Sequence, residues 1–284
     1  MRKPGLMLLA LLISSAANAQ WSQPLAPQTV EVPSRGVHLK AFLWKPAGLG
    51  PFPAVMFNHG RSNTPQQHTR KLTITDAAQV LGPVFARHGY VFLYLFRRGE
   101  GLSADQGAFI GDVLQKEEAA RGKEARNHLQ LLLMTTDHLD DASAGLSFLK
   151  TLPYVDAHRI AVTGHSFGGQ LTLLLAARDK TVRAAIAFAP AANSWGGSPE
   201  LRERLLATVD NRTAPVMLLQ AANDYSLAST QAMAEELSRL SKPYLRKVYP
   251  PTGETANDGH NFLYTDVARW EPDVFKFLDE NLRR

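Results

Sequence analysis

The chain contains no cysteine among its 284 residues, so it offers neither disulfides, a thiol nucleophile nor thiolate metal ligands. It also lacks a P-loop, a Gly-x-Gly-x-x-Gly fingerprint after its first strand and a His-Glu-x-x-His zinc motif, and its nine histidines are scattered. No apolar run is long enough for a transmembrane helix. The sequence therefore argues against nucleotide-dependent and metal-dependent chemistry and against a stable membrane anchor.

The first nineteen residues have the pattern of a signal peptide. Arg2 and Lys3 precede a short apolar run, and small residues end in Ala17-Asn18-Ala19, an Ala-x-Ala cleavage site. We expect a mature chain that begins at Gln20, is exported, and resides in the periplasm or outside the cell. Without Arg2 and Lys3 the formal net charge falls from +5 to +3, because residues 1–19 hold no acid. That charge is too small and too scattered to favour a nucleic-acid partner.

The remainder, residues 20–284, is long enough for one large α/β domain, and nothing in it marks a second one. A hairpin is predicted first, and apolar strand-like runs then alternate with helical patterns. The predicted strands are 28–34, 37–45, 53–58, 90–96, 159–163, 183–189, 215–221 and 244–249, and the predicted helices include 76–87, 166–178, 227–240 and 266–281. This alternation predicts a mostly parallel sheet with helices on both faces and a ligand site at the carboxyl ends of its strands.

One segment is longer than a strand-to-helix connection requires. Residues 103–134 contain a charged, helix-prone stretch at 116–130 followed by the apolar run Leu131-Leu-Leu-Met134. Two interpretations stay open: a solvated amphipathic helix that leads into the next helix, or a lid that borders the site.

The main chemical signal is the sequence Gly164-His-Ser166-Phe-Gly168, preceded by a strand-like run and followed by an apolar helical one. A sharp strand-to-helix turn exposes a serine hydroxyl, and small residues must flank the serine because the turn is crowded. The sequence therefore predicts Ser166 as a nucleophile. The backbone N–H of Phe167, at the start of the helix, is predicted to be one oxyanion donor.

A serine nucleophile needs a histidine base, which in turn needs a carboxylate to orient it. His260 is the only histidine after the serine, in a polar, glycine-containing loop before the last helix. Asp224 follows a predicted strand by a short loop and is the favoured acid. The alternatives are weaker: Asp258 suits a turn, Asp210 precedes its strand, and Asp179 ends the nucleophile helix.

A second oxyanion donor is expected from the loop after an earlier strand. Asn58-His59-Gly60-Arg61 has that position, and the backbone N–H of Arg61 is the predicted donor. His59 is interpreted as a packed histidine that hydrogen-bonds to backbone. His165 is expected to pack beneath the turn and is left out of the catalytic set.

From about Thr29 onward the chain resembles the α/β-hydrolase superfamily. The segments 164–169, 58–60 and Phe96-Arg-Arg-Gly-Glu-Gly-Leu-Ser103 are most similar to its dienelactone hydrolase and prolyl-oligopeptidase branch. The resemblance implies an α/β-hydrolase fold, with an eight-stranded, mostly parallel sheet, an antiparallel start, and a Ser166–His260–Asp224 triad. The nucleophile differs from the cysteine of dienelactone hydrolases proper, and the large propeller of prolyl oligopeptidases is missing.

These features predict an exported serine hydrolase that cleaves carboxylic esters and needs no cofactor. A modest, partly apolar acyl or aryl ester is the expected substrate, with Tyr225, Trp195 and residues 103–134 as candidates for the pocket wall. One alternative keeps the triad and cleaves short peptides or amides. Another is a non-catalytic protein that uses the same fold to bind a ligand or a partner.

Overall fold

The structure is a computed structural model that describes residues 26–69, 72–211 and 214–283. The predicted signal peptide and the cleavage site before Gln20 lie outside these residues. No helix in the described ranges is long and apolar enough to cross a membrane.

Eight strands, nine α-helices and a three-residue 3₁₀-helix (Gly101–Ser103) follow one another in the described residues. The strands are β1 (Gln28–Ser34), β2 (Val37–Trp44), β3 (Phe52–Asn58), β4 (Val91–Leu95), β5 (Val155–His165), β6 (Ala184–Phe188), β7 (Val216–Ala221) and β8 (Tyr244–Tyr249). The helices are α1 (Ile74–Arg87), α2 (Ile110–Thr135), α3 (Asp137–Thr151), α4 (Phe167–Arg178), α5 (Pro199–Asp210), α6 (Ala228–Arg239), α7 (Ala256–His260), α8 (Phe262–Thr265) and α9 (Val267–Leu282).

All eight strands form one sheet in the order β1-β2-β4-β3-β5-β6-β7-β8. The pairs β1–β2 and β2–β4 are antiparallel, and every later pair is parallel. Among the described strands, only β2 therefore runs against the others. This is the mostly parallel eight-stranded sheet with an antiparallel start that the sequence and its resemblance predicted.

Alternate residues of the central strands serve two cores, one on each face of the sheet. Ala54 and Met56 of β3 belong to the core beneath α3, α4, α5 and α6, whereas Val55 and Phe57 belong to the core beneath α1, α8 and α9. Strands buried on both faces read as continuous apolar runs, which is why the sequence reveals them. The carboxyl ends of β3, β5 and β7 are thereby fixed at one edge.

Apart from α3, which was expected without bounds, and the four-residue α8, two helices lie where no element or only a loop was predicted. The first is α5, which begins with Pro199 after the N-cap Ser198. The second is the five-residue α7, which places His260 at the end of a short helix rather than in a loop. A third difference lies in the long segment, where α2 covers 26 residues and is interrupted at Gly122 (φ 85°, ψ 177°).

Candidate active site

Ser166 occupies the turn between β5 and α4 in a strained backbone conformation. Its φ of 54° and ψ of −116° are unusual for a residue other than glycine. The neighbouring strand holds the turn, because the Ser166 N–H donates to the carbonyl of Phe188 at 2.8 Å. The serine side chain is thus presented at the carboxyl edge of the sheet, as the sequence motif predicted.

The two motif glycines leave no room for a side chain. A Cβ on Gly164 would lie 2.6 Å from both the Asn58 carbonyl oxygen and Thr172 Oγ1. A Cβ on Gly168 would overlap the carbonyl oxygens of Asn58 and His59. The end of β3 therefore approaches the turn closely only because both positions are glycine.

Ser166, His260 and Asp224 form one hydrogen-bonded chain. His260 Nε2 lies 3.0 Å from Ser166 Oγ, and His260 Nδ1 lies 2.8 Å from Asp224 Oδ1. The ionised carboxylate can only accept, so Nδ1 carries the proton and Nε2 is left to accept from the serine hydroxyl. The three side chains have the arrangement that serine-nucleophile catalysis requires.

Asp224 is the carboxylate that meets His260, and its environment suits a fixed anion. Its side chain is fully buried, and it also accepts from the Tyr225 N–H at 2.7 Å and from Gln220 Nε2 at 2.8 Å. Asp258 instead caps α7, where its carboxylate accepts from the Thr255 N–H and hydroxyl. The weaker candidate thus has the turn-forming role that the sequence favoured.

Sequence reasoning did not find Asn223, which ties the acid-bearing loop to the base-bearing helix. Its amide donates to the carbonyls of Thr252 and Thr255 and accepts from the Thr252 N–H, all within 3.0 Å. A Cβ on Gly259 would lie 2.7 Å from Asn223 backbone carbon, so α7 can pack here only with glycine. These contacts set the distance between Asp224 and His260.

His165 lies directly behind the histidine of the triad. Its Nε2 donates to the His260 carbonyl at 2.8 Å, and the two ring centroids are 4.8 Å apart. Burial lowers the pKa of His165 well below its usual value, so the ring is neutral. It packs beneath the turn as expected, and it also positions the backbone of His260, which sequence reasoning missed.

The two predicted oxyanion donors both border the same cleft as Ser166. Phe167 is the first residue of α4, where an N–H has no partner within the helix. Arg61 follows the end of β3, and neither N–H donates to another group of the described chain. Two backbone donors next to the serine hydroxyl are therefore available to an incoming oxygen.

The cleft above Ser166 has a volume of about 460 Å³ and a largely polar wall. Apart from the triad, its wall includes charged and amide side chains from several elements: Arg61, Asn63, Glu118, Lys123, Arg126, Asn127, Gln130, Gln170, Asn193 and Asn257. Tyr225 lines the cleft as anticipated. Trp195 does not, because it is 7% exposed and packs in the core. The wall is therefore more polar than apolar, although Phe167, Ala191 and Tyr225 contribute apolar surface.

Positive charge exceeds negative charge among these wall residues. Arg126 Nε lies 3.8 Å from Glu118 Oε2, and Arg61 donates to Gln130 Oε1 at 3.1 Å. Partial burial and the nearby Arg126 charge lower the pKa of Arg61, although a guanidinium stays protonated at neutral pH. Lys123 also borders the cleft, so three cations face one carboxylate.

Residues of α2 form one side of this cleft. Glu118, Lys123, Arg126 and Gln130 all come from this helix, within the segment for which a lid was one interpretation.

Within the described ranges no group of three or more histidines and carboxylates could hold a metal ion.

The sheet order, the strained serine turn and the hydrogen-bonded triad together define an α/β-hydrolase. The family model of the dienelactone hydrolase family matches residues 85–268, which include all three triad residues. The chain belongs to that family.

Several characterised proteins are similar to parts of the chain. The polyketide transferase grgF of Penicillium sp is 31% identical over 175 residues, which are 58% of this chain and 52% of that protein. The quorum-quenching protein AidA of Acinetobacter baumannii (strain MDR-ZJ06) is 25% identical over 175 residues, or 62% of this chain and 47% of that protein. The chain therefore spans about half the length of these relatives.

Two peptidases of known structure share the fold. An acylaminoacyl peptidase of Pyrococcus horikoshii has a TM-score of 0.63 at 19% identity, and the match covers 92% of this chain and 42% of the peptidase chain. A puromycin-hydrolyzing peptidase of Mycobacterium tuberculosis has a TM-score of 0.64 at 18% identity, with coverages of 90% and 40%. At such identities the likeness concerns the fold alone.

Proposed function

We propose that this protein is a serine hydrolase that cleaves carboxylic esters through an acyl-enzyme on Ser166. Ser166 Oγ attacks the acyl carbon while His260 Nε2 takes the hydroxyl proton and then gives it to the departing alkoxide. Asp224 orients the imidazole and stabilises its charged form. The N–H groups of Phe167 and Arg61 hold the oxyanion of the tetrahedral intermediate. Water, deprotonated by the same histidine, then releases the acid without a cofactor.

One observation carries this proposal: the unbroken hydrogen-bonded chain from Ser166 Oγ through His260 to Asp224, at 3.0 and 2.8 Å. A non-catalytic protein would have no need for a serine held at φ 54°, because such strain costs on the order of 1–3 kcal/mol. Nor would it need two free N–H groups beside that hydroxyl.

The wall of the cleft favours a substrate that carries an anionic or strongly polar group near its ester. Among the described residues that line the cleft, the cations Lys123, Arg126 and Arg61 outnumber the carboxylate Glu118. Partly desolvated charges are worth more than they are in bulk water. We therefore replace the partly apolar ester of the sequence prediction with an ester of a dicarboxylic or otherwise anionic acid.

We also propose that α2 covers the acyl or leaving-group side of the cleft. Its charged residues supply most of the ionic wall, and its break at Gly122 lies between Glu118 and Lys123. A segment that both shapes and charges the wall would select substrates rather than take part in the chemistry.

Export of the protein through the segment before Gln20 is a proposal that rests on the sequence of residues 1–19. N-terminal sequencing of the protein recovered from a periplasmic fraction should begin at Gln20. Recovery only from the cytoplasm with Met1 intact would contradict it.

Labelling with a fluorophosphonate tests the proposed nucleophile. Folded protein should form one adduct on Ser166, and Ser166→Ala and His260→Ala should lose labelling. Asp224→Asn should slow labelling strongly, whereas Asp258→Asn, a matched change in the cap of α7, should react at nearly the normal rate. A folded protein without a Ser166 adduct would exclude the serine mechanism.

The bond is tested by comparing p-nitrophenyl esters, alkyl thioesters and aminoacyl anilides under the same conditions. Esters should be the best substrates. Faster anilide cleavage would make the protein a peptidase or amidase. Faster thioester cleavage would make the protein a thioesterase. A thiohydrolase of Eupenicillium brefeldianum is 37% identical to this chain over 82 residues, which is why thioesters are included.

The proposed anionic preference is tested with p-nitrophenyl esters of matched length, one ending in a carboxylate and one in a methyl group. Arg126→Gln and Lys123→Gln should each lower kcat/KM about fivefold for the anionic ester only, which corresponds to roughly 1 kcal/mol per partly exposed charge. Equal losses for both esters would refute the electrostatic argument.

A further inference from the structure

A tight turn after β4 brings two oppositely charged side chains together in the interior. Gly99 and Gly101, with φ values of 75° and 57°, fold residues 97–100 back on themselves. Arg97 Nη2 then lies 2.6 Å from Glu100 Oε2, with the two side chains 1% and 0% exposed. A buried ion pair is costly to form, and this one has no part in the proton transfers of the proposed mechanism.

The Arg97 guanidinium donates to the loop that follows β3. Its Nη1 bonds to the His59 carbonyl, and its Nη2 bonds to the Gly60 carbonyl at 3.0 Å. The Gly60 carbonyl and the Arg61 N–H belong to one peptide unit. In a planar trans peptide these groups point in opposite directions, so a cation that fixes the carbonyl also aims the N–H.

Glu100 secures the other side of the same residue. Its Oε1 accepts from the Ser62 N–H at 3.2 Å, while His59 Nδ1 donates to the Gly60 carbonyl at 2.8 Å. The peptide units before and after Arg61 are thus both held by the charged pair. A charge-assisted hydrogen bond to the Gly60 carbonyl also polarises the amide and strengthens its N–H as a donor.

The same guanidinium lies against the residue that provides the other donor. Arg97 Cζ is 5.1 Å from the ring centroid of Phe167, whose side chain is buried. One buried cation therefore contacts both residues that flank the proposed oxyanion hole, through the Gly60 carbonyl and the Phe167 ring.

We propose that the Arg97–Glu100 pair is a positioning element that holds the Arg61 N–H and the Phe167 N–H at the separation an oxyanion requires. This inference rests on the proposed function, since it concerns the same site. Arg97 does not touch the substrate. Its charge acts through the Gly60 peptide and the Phe167 ring.

The test removes both charges together, because a single change would leave an unpaired buried ion and destabilise the fold. The variant Arg97→Met/Glu100→Gln is compared with Arg98→Met/Asp141→Asn. The latter removes a neighbouring pair that joins the same turn to α3, through Arg98 Nη2 and Asp141 Oδ1 at 2.6 Å. Circular dichroism and urea unfolding establish that each variant is folded.

The decisive measurement is the ratio of kcat for an ester to kcat for its thionoester. The thionoester places sulfur, a weak hydrogen-bond acceptor, at the oxyanion position. Loss of a well-aimed donor should lower ester kcat about 10²- to 10³-fold, and thionoester kcat less than about tenfold. KM should change little. The ratio should collapse in the first variant and remain that of the wild type in the second, even if stability falls in both.

An unchanged ratio in folded Arg97→Met/Glu100→Gln would overturn the positioning role. A proportional loss of kcat with both substrates is one such unchanged ratio, and it would indicate general damage to the site. A wild-type protein that neither labels at Ser166 nor cleaves esters would overturn the proposed function itself, and this inference with it.

Discussion

Gly168→Ala should inactivate the site without unfolding the protein. The added Cβ would overlap the carbonyl oxygens of Asn58 and His59, far inside the 3.4 Å at which ordinary van der Waals contact begins. The end of β3 would have to withdraw by more than about 1 Å, and it carries the Arg61 N–H with it. Misplacement by about 1 Å costs roughly 10²-fold in rate, and loss of one oxyanion donor costs about 10²- to 10³-fold. We expect kcat to fall within that range.

Gly168→Ala should lower the free energy of unfolding by less than it raises the activation free energy of the reaction. Overpacking of a well-packed interior costs about 1–3 kcal/mol, and alanine regains up to about 1 kcal/mol over glycine inside a helix. Gly169→Ala is the matched control, because its Cβ would meet the Phe188 carbonyl oxygen at 3.1 Å and the Pro190 side chain at 3.3 Å. Small shifts relieve those contacts without moving β3.

Steady-state esterase kinetics and urea unfolding on both variants decide the matter. Gly168→Ala should lose turnover while it unfolds cooperatively, and Gly169→Ala should keep kcat within about threefold of the wild type. A Gly168→Ala protein with normal kcat would show that the close approach of β3 to the serine turn does not set the oxyanion geometry.

Three further changes test other parts of the structure. Burial lowers the pKa of His68 to about 3 from 6.5, so between these values only the unfolded chain takes up the proton, and stability should fall as pH drops below about 6.5. The loss is about 2 kcal/mol at pH 5, and urea midpoints of His68→Phe should lack this contribution to the slope. Gly82→Ala would force a Cβ into the buried Trp44 ring and should cost about 1–2 kcal/mol of unfolding free energy, whereas Gly196→Ala, which meets nothing within 4 Å, should cost nothing measurable. Gly122→Ala opposes a backbone conformation that is nearly exclusive to glycine and should raise KM with little change in kcat; an unchanged KM would separate α2 from substrate binding.

The sheet and the triad could be predicted because they depend on order along the chain. Strands buried on both faces appear as apolar runs, and parallel strands bring residues that follow them to one edge. Ser166, Asp224 and His260 follow β5, β7 and β8 in that way. The sequence also carries start signals for the two helices that were not predicted. Ser198-Pro199 is a typical helix start, and Thr255 with Asp258 forms the capping box of α7.

The supporting residues could not be predicted, because their roles depend on contacts between distant segments. Nothing in the order of residues indicates that Asn223 joins two loops or that His165 supports His260. Arg97 and Glu100 were noted only within the segment 96–103 that carries the family resemblance, because burial of a charged pair leaves no periodic pattern. Trp195 was predicted to line the pocket but packs in the core. The sequence cannot distinguish these two positions, because aromatic residues occur both in cores and in pocket walls.

The chemistry and the substrate of this site are encoded in different parts of the chain. The triad and its donors lie at the ends of β3, β5 and β7 and on α7, where a shift of one residue would remove the hydrogen bonds. The charged wall comes mainly from α2, which has no fully buried residue between Leu114 and Gln130. Exposed positions change at little cost to stability, so a position such as Lys123 can vary with the substrate while the triad stays fixed. For this reason the strained serine carries the proposed reaction, and the test of what is cleaved falls on the ionic residues of one helix.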